Sequence, residues 1–169
     1  VAADVSRPRV RRLARNLARA GSGREHAVVA DAQHPPVRPL PAVLLDGPCL
    51  GTGTFARHPD ARWRVSPEAL VALARRQAAL LDGVAAAVAP GGLLVYSTCS
   101  LEPEENEAQV EAFLSRHQEF SRERSETFPA ALTSPAGDLT ILPQRHRMDG
   151  AFAARLRRDA RTGEPAPRA

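Results

Sequence analysis

Residues 92–106 read Gly92-Leu93-Leu94-Val95-Tyr96-Ser97-Thr98-Cys99-Ser100-Leu101-Glu102-Pro103-Glu104-Glu105-Asn106. The apolar run 93–96 predicts a buried strand that gives way to small polar residues around Cys99. Pro103, flanked by Glu102, Glu104 and Glu105, then opens a helix carrying Val110, Phe113 and Leu114, where the dipole favours acids. A strand that ends at a thiol and passes into a helix is one β–α unit.

Upstream the same alternation repeats. Ser66, Pro67 and Glu68 read as a cap, a first-turn proline and a first-turn acid. Leu70, Leu73, Gln77, Leu80, Leu81, Val84 and Val88 trace one face of a helix that Pro90, Gly91 and Gly92 end. Before it, the apolar run 43–45 closes on Asp46, and residues 47–64 have no period and read as a long loop. Pro35 to Pro41 breaks any helix, and residues 26–30 make a strand-like run closed by Asp31. At the front, residues 1–5 form a short strand ending around Asp4. Val10, Leu13 and Leu17 then predict a helix over 6–21 with Ser6 as N-cap and Gly21 as its stop.

Strand and helix alternate through the first 116 residues, which argues for an α/β fold with a parallel sheet and helices on both faces. Working residues in such sheets gather beyond the carboxyl ends of strands. Asp4, Asp31, Asp46 and Cys99 all fall at such ends. Cys99 is the strongest candidate, because the nearby helix N-terminus favours a thiolate, and a thiolate is a nucleophile. Cys49, in Asp46-Gly47-Pro48-Cys49, sits where glycine and proline fix an unusual backbone path.

Composition bounds the rest. The 169 residues allow one domain of ordinary size, with 43% hydrophobic and 25% charged residues predicting a packed core. No apolar run reaches the roughly 18 residues of a membrane span. All 23 cationic side chains are arginine and the net charge is +4, which suits a nucleic-acid partner. Coding from a GC-rich genome accounts for the same bias at least as well. Two cysteines and five scattered histidines make neither a disulfide framework nor a metal site, so reduced thiols in the cytoplasm are expected. Beyond Phe120 two further apolar runs, 139–142 and 151–156, precede a basic end.

At the level of motif, Leu44-Leu45-Asp46-Gly47-Pro48-Cys49, Gly51-Thr52-Gly53-Thr54, Arg57-His58-Pro59-Asp60, Tyr96-Ser97-Thr98-Cys99-Ser100 and Glu102-Pro103-Glu104-Glu105-Asn106 strongly resemble the Sun/RsmB-type family of RNA cytosine-C5 methyltransferases. Leu142-Pro143, His146 and Asp149-Gly150 look like that family's closing strand region, and the resemblance spans residues 1–158. It implies a Rossmann-like class I methyltransferase sheet that binds S-adenosyl-L-methionine and an extruded cytosine of RNA, ribosomal RNA above all, with no metal and no membrane.

By motif, Cys99 matches the nucleophile, Cys49 the thiol that assists product release, and Asp46 the carboxyl at the cytosine N3 and N4 edge and in the cofactor pocket. Asp4 resembles the acid on the cofactor ribose and Asp31 the acid beside its adenine. Gly47 and Leu50 depart mildly from the family pattern. The family's first strand and glycine-rich loop would lie upstream of Val1, so the 169 residues are expected to form a partial catalytic domain, 1–158, with a basic flexible tail, 159–169. Weak cofactor binding is then expected of this chain, and micromolar binding by calorimetry would contradict it.

Three rival readings follow. One is an RNA-binding module with an idle crevice. A second makes Cys49 the nucleophile, as in DNA cytosine-C5 methyltransferases, and a third methylates an exocyclic amine or small molecule. Arg62 and Trp63, in the loop after Asp60, are candidates to stack on or clamp a nucleotide, although a loop tryptophan more often packs locally. His58, His146, Arg155, Arg157 and Arg158 are weaker candidates for the pocket or for phosphate contact.

Overall fold

The computed structural model describes residues 1–21 and 23–160. The basic tail expected over 159–169 lies, from residue 161 onward, outside the described residues. Among the described residues, seven strands and four α-helices follow in chain order: β1 (Ala2–Asp4), α1 (Arg7–Ala20), β2 (Ala27–Val29), β3 (Leu40–Asp46), α2 (Pro67–Ala85), β4 (Val88–Thr98), α3 (Glu107–Arg116), β5 (Phe120–Arg122), β6 (Leu139–Ile141), α4 (Pro143–His146) and β7 (Ala151–Arg158).

The strands form two sheets. β1 and β2 pair in parallel, and the larger sheet runs β3-β4-β7-β5, with β6 also on β7. β3 and β4 are parallel, as alternation with helices requires, whereas β7 lies antiparallel to β4, β5 and β6. Parallel pairing places Asp4 beside Val29 and Asp46 beside Ser97, so each pair of strands ends together.

Burial alternates along β4 and β7. Leu94, Tyr96 and Thr98 of β4 face the core beside Leu156, Ala154 and Phe152 of β7, their register partners. Against this face pack Leu80, Leu81 and Val84 of α2 and Val110 and Phe113 of α3. Phe113 stacks on His117 at 4.4 Å and meets Phe120 edge-on at 5.2 Å. The opposite face of β4 carries Leu93 and Val95, which are half-buried.

Two element boundaries differ from those read in the sequence, each for a backbone reason. Val88 belongs to β4 rather than to α2, since α2 ends at Ala85 and the strand begins before Pro90. The Pro90-Gly91-Gly92 segment is accommodated inside the strand as an irregularity: the ladder jumps from Leu40↔Val88 to Ala42↔Leu93, and Gly91 has φ +74°. Pro41, assigned to the loop, lies within β3 at the skipped position, where its missing N–H costs no ladder bond. At the other end, β7 continues through Arg158, and the Asp159 N–H donates to the Glu119 carbonyl at 2.7 Å.

Candidate active site

The two thiols predicted to share a crevice do so. Cys49 Sγ and Cys99 Sγ are 3.4 Å apart, both free and both half-buried. Cys99 follows β4, Cys49 follows β3, and the parallel β3/β4 pairing brings the two ends side by side.

Electrostatics make the pair unequal. A hydrogen bond from Cys49 lowers the Cys99 thiol to about 7, against burial and the charges of Asp46 and Glu105, which raise it. Cys49 is pushed well above the usual thiol range, first because its S–H serves that bond and then by burial and the charge on Cys99. The two thiols therefore titrate as a pair, and Cys99 is the sulfur that ionises first. The partner thiol is a cause that the sequence reading, which named the helix N-terminus, did not include.

The backbone around Cys99 is fixed on every side. Gly53 N–H donates to the Cys99 carbonyl at 3.0 Å. A side chain at Gly53 would collide with that carbonyl at 2.7 Å and with the Gly150 carbonyl at 2.6 Å, so the close approach requires glycine. Asn106 Nδ2 donates to the Ser100 carbonyl at 3.0 Å, and its Oδ1 accepts from the Thr98 hydroxyl. Thr52 Oγ1 accepts from Leu101 N–H at 2.8 Å and meets Ser100 Oγ at 3.3 Å. Motif residues that looked like punctuation are the fasteners of this loop.

Cys49 is held by residues that sequence reasoning missed. Gln77, on α2, donates from Nε2 to the Pro48 carbonyl at 2.8 Å and to Glu105 Oε1 at 2.9 Å. Leu50 N–H donates to both Glu105 oxygens at 3.1 Å. Glu105 is therefore not a first-turn acid of α3. It ends a separate 3₁₀ turn, Pro103–Glu105, and is fully buried. A glutamine on an otherwise apolar helical face was the one available signal.

Asp46, exposed at the end of β3, accepts from Ser97 Oγ at 3.5 Å and is close enough for its charge to oppose ionisation of Cys99. Asp4 and Asp31 lie together on the other sheet. The Ala30 N–H donates to the Asp4 carbonyl at 3.1 Å, so the ends of β1 and β2 adjoin. Asp4 accepts from Ser6 N–H at 2.7 Å and Arg9 Nε at 3.0 Å, and Asp31 from Gln33 N–H at 2.9 Å. Each carboxylate keeps lone pairs beyond these local bonds, which suits acceptors for a ligand's hydroxyl and amino hydrogens.

The weaker candidates separate clearly. Arg155 and Arg157 share Glu123, and Arg158 Nη1 donates to the Val88 carbonyl at 2.6 Å, so all three serve the sheet. His146 Nδ1 accepts from Leu142 N–H inside its own turn. His58 precedes the 3₁₀ segment Pro59–Arg64 without a side-chain cap bond. Trp63 is 85% exposed and does not pack locally, while Arg62 lies 5.9 Å from the Phe55 ring. Among the described residues no three His, Cys, Asp or Glu side chains converge as a metal site, and no helix is long and apolar enough to cross a membrane.

Residues 1–157 match the family model described as 16S rRNA methyltransferase RsmB/F. The chain belongs to this family. It is 48% identical over 127 residues to a "Probable ribosomal RNA small subunit methyltransferase B" of Synechocystis, covering 73% of this chain and 28% of that protein. Ribosomal RNA small subunit methyltransferase B of Thermus thermophilus is 40% identical over 158 residues, 94% of this chain and 39% of its own. The chain thus spans well under half the length of these relatives.

Among solved structures, NSun6 from Pyrococcus horikoshii with SFG superposes with a TM-score of 0.80 at 31% identity, covering 92% of this chain and 40% of that one. A methyltransferase homolog protein from the same organism gives 0.72 at 30% identity, covering 92% and 52%. The RsmB/F chain therefore has the Rossmann-like methyltransferase fold that its motifs implied.

Proposed function

We propose that this RsmB/F chain carries the catalytic residues of an RNA cytosine-C5 methyltransferase acting on ribosomal RNA, and that Cys99 is its nucleophile. The carrying observation is the thiol pair: sulfurs 3.4 Å apart, with Cys99 lowered to about 7 by Cys49. Cytosine C5 is a weak nucleophile until a thiolate adds to C6 and pushes electron density toward C5 and N3. Asp46, beside the pair, is the group to accept from the N4 amino hydrogen and, once N3 has taken a proton from solvent, from N3–H of that adduct.

S-Adenosyl-L-methionine supplies an electrophilic sulfonium methyl when bound. Asp4 and Asp31, whose carboxylates keep free lone pairs beside adjoining strand ends, would accept from its ribose hydroxyls and its adenine amino group, and Asp46 would serve the same pocket. A solved relative carries SFG, an analogue of it. Every remaining step belongs to the chain's own residues. Once Cys99 is bonded to C6 its negative charge is gone, and with it both the thiolate acceptor and the repulsion that hold the Cys49 proton. Cys49 then becomes more acidic and gives its proton to solvent water. Its thiolate, directly or through a water, takes the C5 proton as the C6–S bond breaks, which leaves Cys49 as the thiol and returns the bonding pair to Cys99 as the thiolate. The order of events is thus built into the thiol pair.

RNA containing 5-fluorocytosine, which has no C5 proton to lose, tests this in a longer protein that includes the chain. A covalent adduct lost in Cys99→Ala and kept in Cys49→Ala is expected. Loss in Cys49→Ala with retention in Cys99→Ala would exchange the two roles, and no adduct from the parent protein would overturn the reading. Reduced thiols accord with work in the cytoplasm.

A further inference from the structure

We infer that Gln77 and Glu105 form a positioning clamp for Cys49, setting its distance from Cys99 through the peptide groups on either side of it. The inference rests on the reading above only for what the thiols do. Gln77 Nε2 grips the Pro48 carbonyl before Cys49, and Glu105 takes the Leu50 N–H after it. The two side chains are joined at 2.9 Å. Tyr96, three residues before Cys99 on the same strand, donates its hydroxyl to the Glu105 carbonyl at 2.7 Å. The circuit runs from Cys49 through Leu50, Glu105 and Tyr96 back to Cys99.

Two features of the clamp are costly for a core. Glu105 is fully buried and makes no ion pair among the described residues, where an apolar residue of similar volume would fill the space more cheaply. Gln77 is also fully buried, and its Oε1 has no hydrogen-bond partner. Both costs are incurred at one place, and each side chain points its bonds at a neighbour of Cys49. Burial and the charges of Glu105 and Cys49 also raise the Tyr96 hydroxyl above the usual phenol range, so it stays protonated and keeps donating.

A thiol–thiol hydrogen bond tolerates little displacement, so the clamp governs whether Cys49 reaches Cys99 at all. The titratable groups facing Cys99 are Cys49 and Asp46, from the loop after β3 and from β3 itself, and Glu105 from the 3₁₀ turn, of which Asp46 and Glu105 act by charge and Cys49 by its hydrogen bond.

The test measures the effective concentration of the two thiols in the 169-residue chain, from the Cys49–Cys99 disulfide formed in glutathione redox buffers, alongside the pH profile of Cys99 alkylation. Glu105→Ala and Gln77→Ala are each expected to lower the effective concentration by about tenfold or more relative to Val110→Ala, a core variant outside the clamp. Glu105→Gln keeps an acceptor for Leu50 N–H and removes the charge. It is expected to hold the thiols in place while moving the Cys99 alkylation midpoint to lower pH.

The inference is overturned if neither alanine variant falls below Val110→Ala, or if Glu105→Gln behaves as Glu105→Ala does. If Glu105→Ala does not fold, Gln77→Ala carries the comparison alone. A failed 5-fluorocytosine adduct with these thiol results intact would remove the proposed reaction and leave the clamp standing.

Discussion

The cysteine crevice and the acid pair at the ends of β1 and β2 are organised in different ways. The peptide groups on both sides of Cys49, and those that follow Cys99, are held by side chains that include Gln77, Glu105 and Thr52 from distant parts of the chain and Asn106 from nearby. The carboxylates of Asp4 and Asp31 are held, among the described residues, by bonds within five residues, at the ends of strands of three residues each. Long-range ties make a site that resists displacement, whereas local turns position a carboxylate only as well as the short segment holding it. The thiol pair is thus built into the larger sheet, and Asp4 and Asp31 ride on the smaller one.

The largest expected effect tests whether the two sheets also differ in stability. Phe113→Ala removes a fully buried ring stacked between His117 and Phe120, and a loss of about 3–5 kcal/mol is expected in urea unfolding. Val10 is the one buried residue of α1, and Val10→Ala should cost only about 1–2 kcal/mol. Equal losses would erase the distinction. Hydrogen exchange sharpens it, because amides of β1 and β2 should exchange about a hundredfold faster than those of Leu94 to Tyr96 in β4. Comparable protection in both sheets would mean that they open as one unit.

The same division describes what could be read from the chain before folding. Asp46 and Cys99 were legible because a strand end followed by a polar residue is a local pattern, and parallel alternation then brings such ends together. The extent of β4 was not legible: Val88 matches a helical face by spacing, and only the irregularity at Gly91 and Gly92 lets the strand start there. Glu105 was misread for the opposite reason. Its neighbours in sequence are acids at a helix start, while its partners, Leu50 and Gln77, lie 55 and 28 residues away. The pairing of Arg155 and Arg157 with Glu123 was equally hidden, since no sequence spacing distinguishes a sheet arginine from one that touches phosphate.

A third prediction separates the thiols themselves. Alkylation by iodoacetamide should rise through about pH 7 at Cys99, while Cys49 stays protonated and reacts roughly tenfold or more slowly. Peptide mapping after brief labelling reads both rates. In Cys49→Ala the donor is lost, so the Cys99 midpoint should move to higher pH. A midpoint that did not move would mean that backbone N–H groups, rather than the partner thiol, set its acidity, since burial and Asp46 act only to raise it.

The smallest effect compares carboxylates of the two sheets by acid. Hydrogen bonds from Arg157 and Arg155 lower Glu123 from 4.5 to about 2, against a smaller opposing cost of burial. Asp4 is also lowered: burial acts to raise it, but Ser6 N–H and Arg9 together outweigh that. Both groups lose protons more readily folded than unfolded, so their stabilisation is present at neutral pH and fades as pH falls, for Glu123 between about 4.5 and 2.

Because solvent reaches both Glu123 arginines, Glu123→Gln should cost about 1 kcal/mol at pH 7, less than the full shift implies. The difference from the parent chain should shrink steadily as pH falls from about 4.5 toward 2, where Glu123 becomes half protonated in the parent as well. Asp4→Asn should show the same sign with smaller amplitude, because its ion pair with Arg9 is more exposed and its bond to Ser6 survives as an amide acceptor. A larger acid response from Asp4 than from Glu123 would reverse the ranking of the two sheets, since it would make the smaller one the more dependent on its charges.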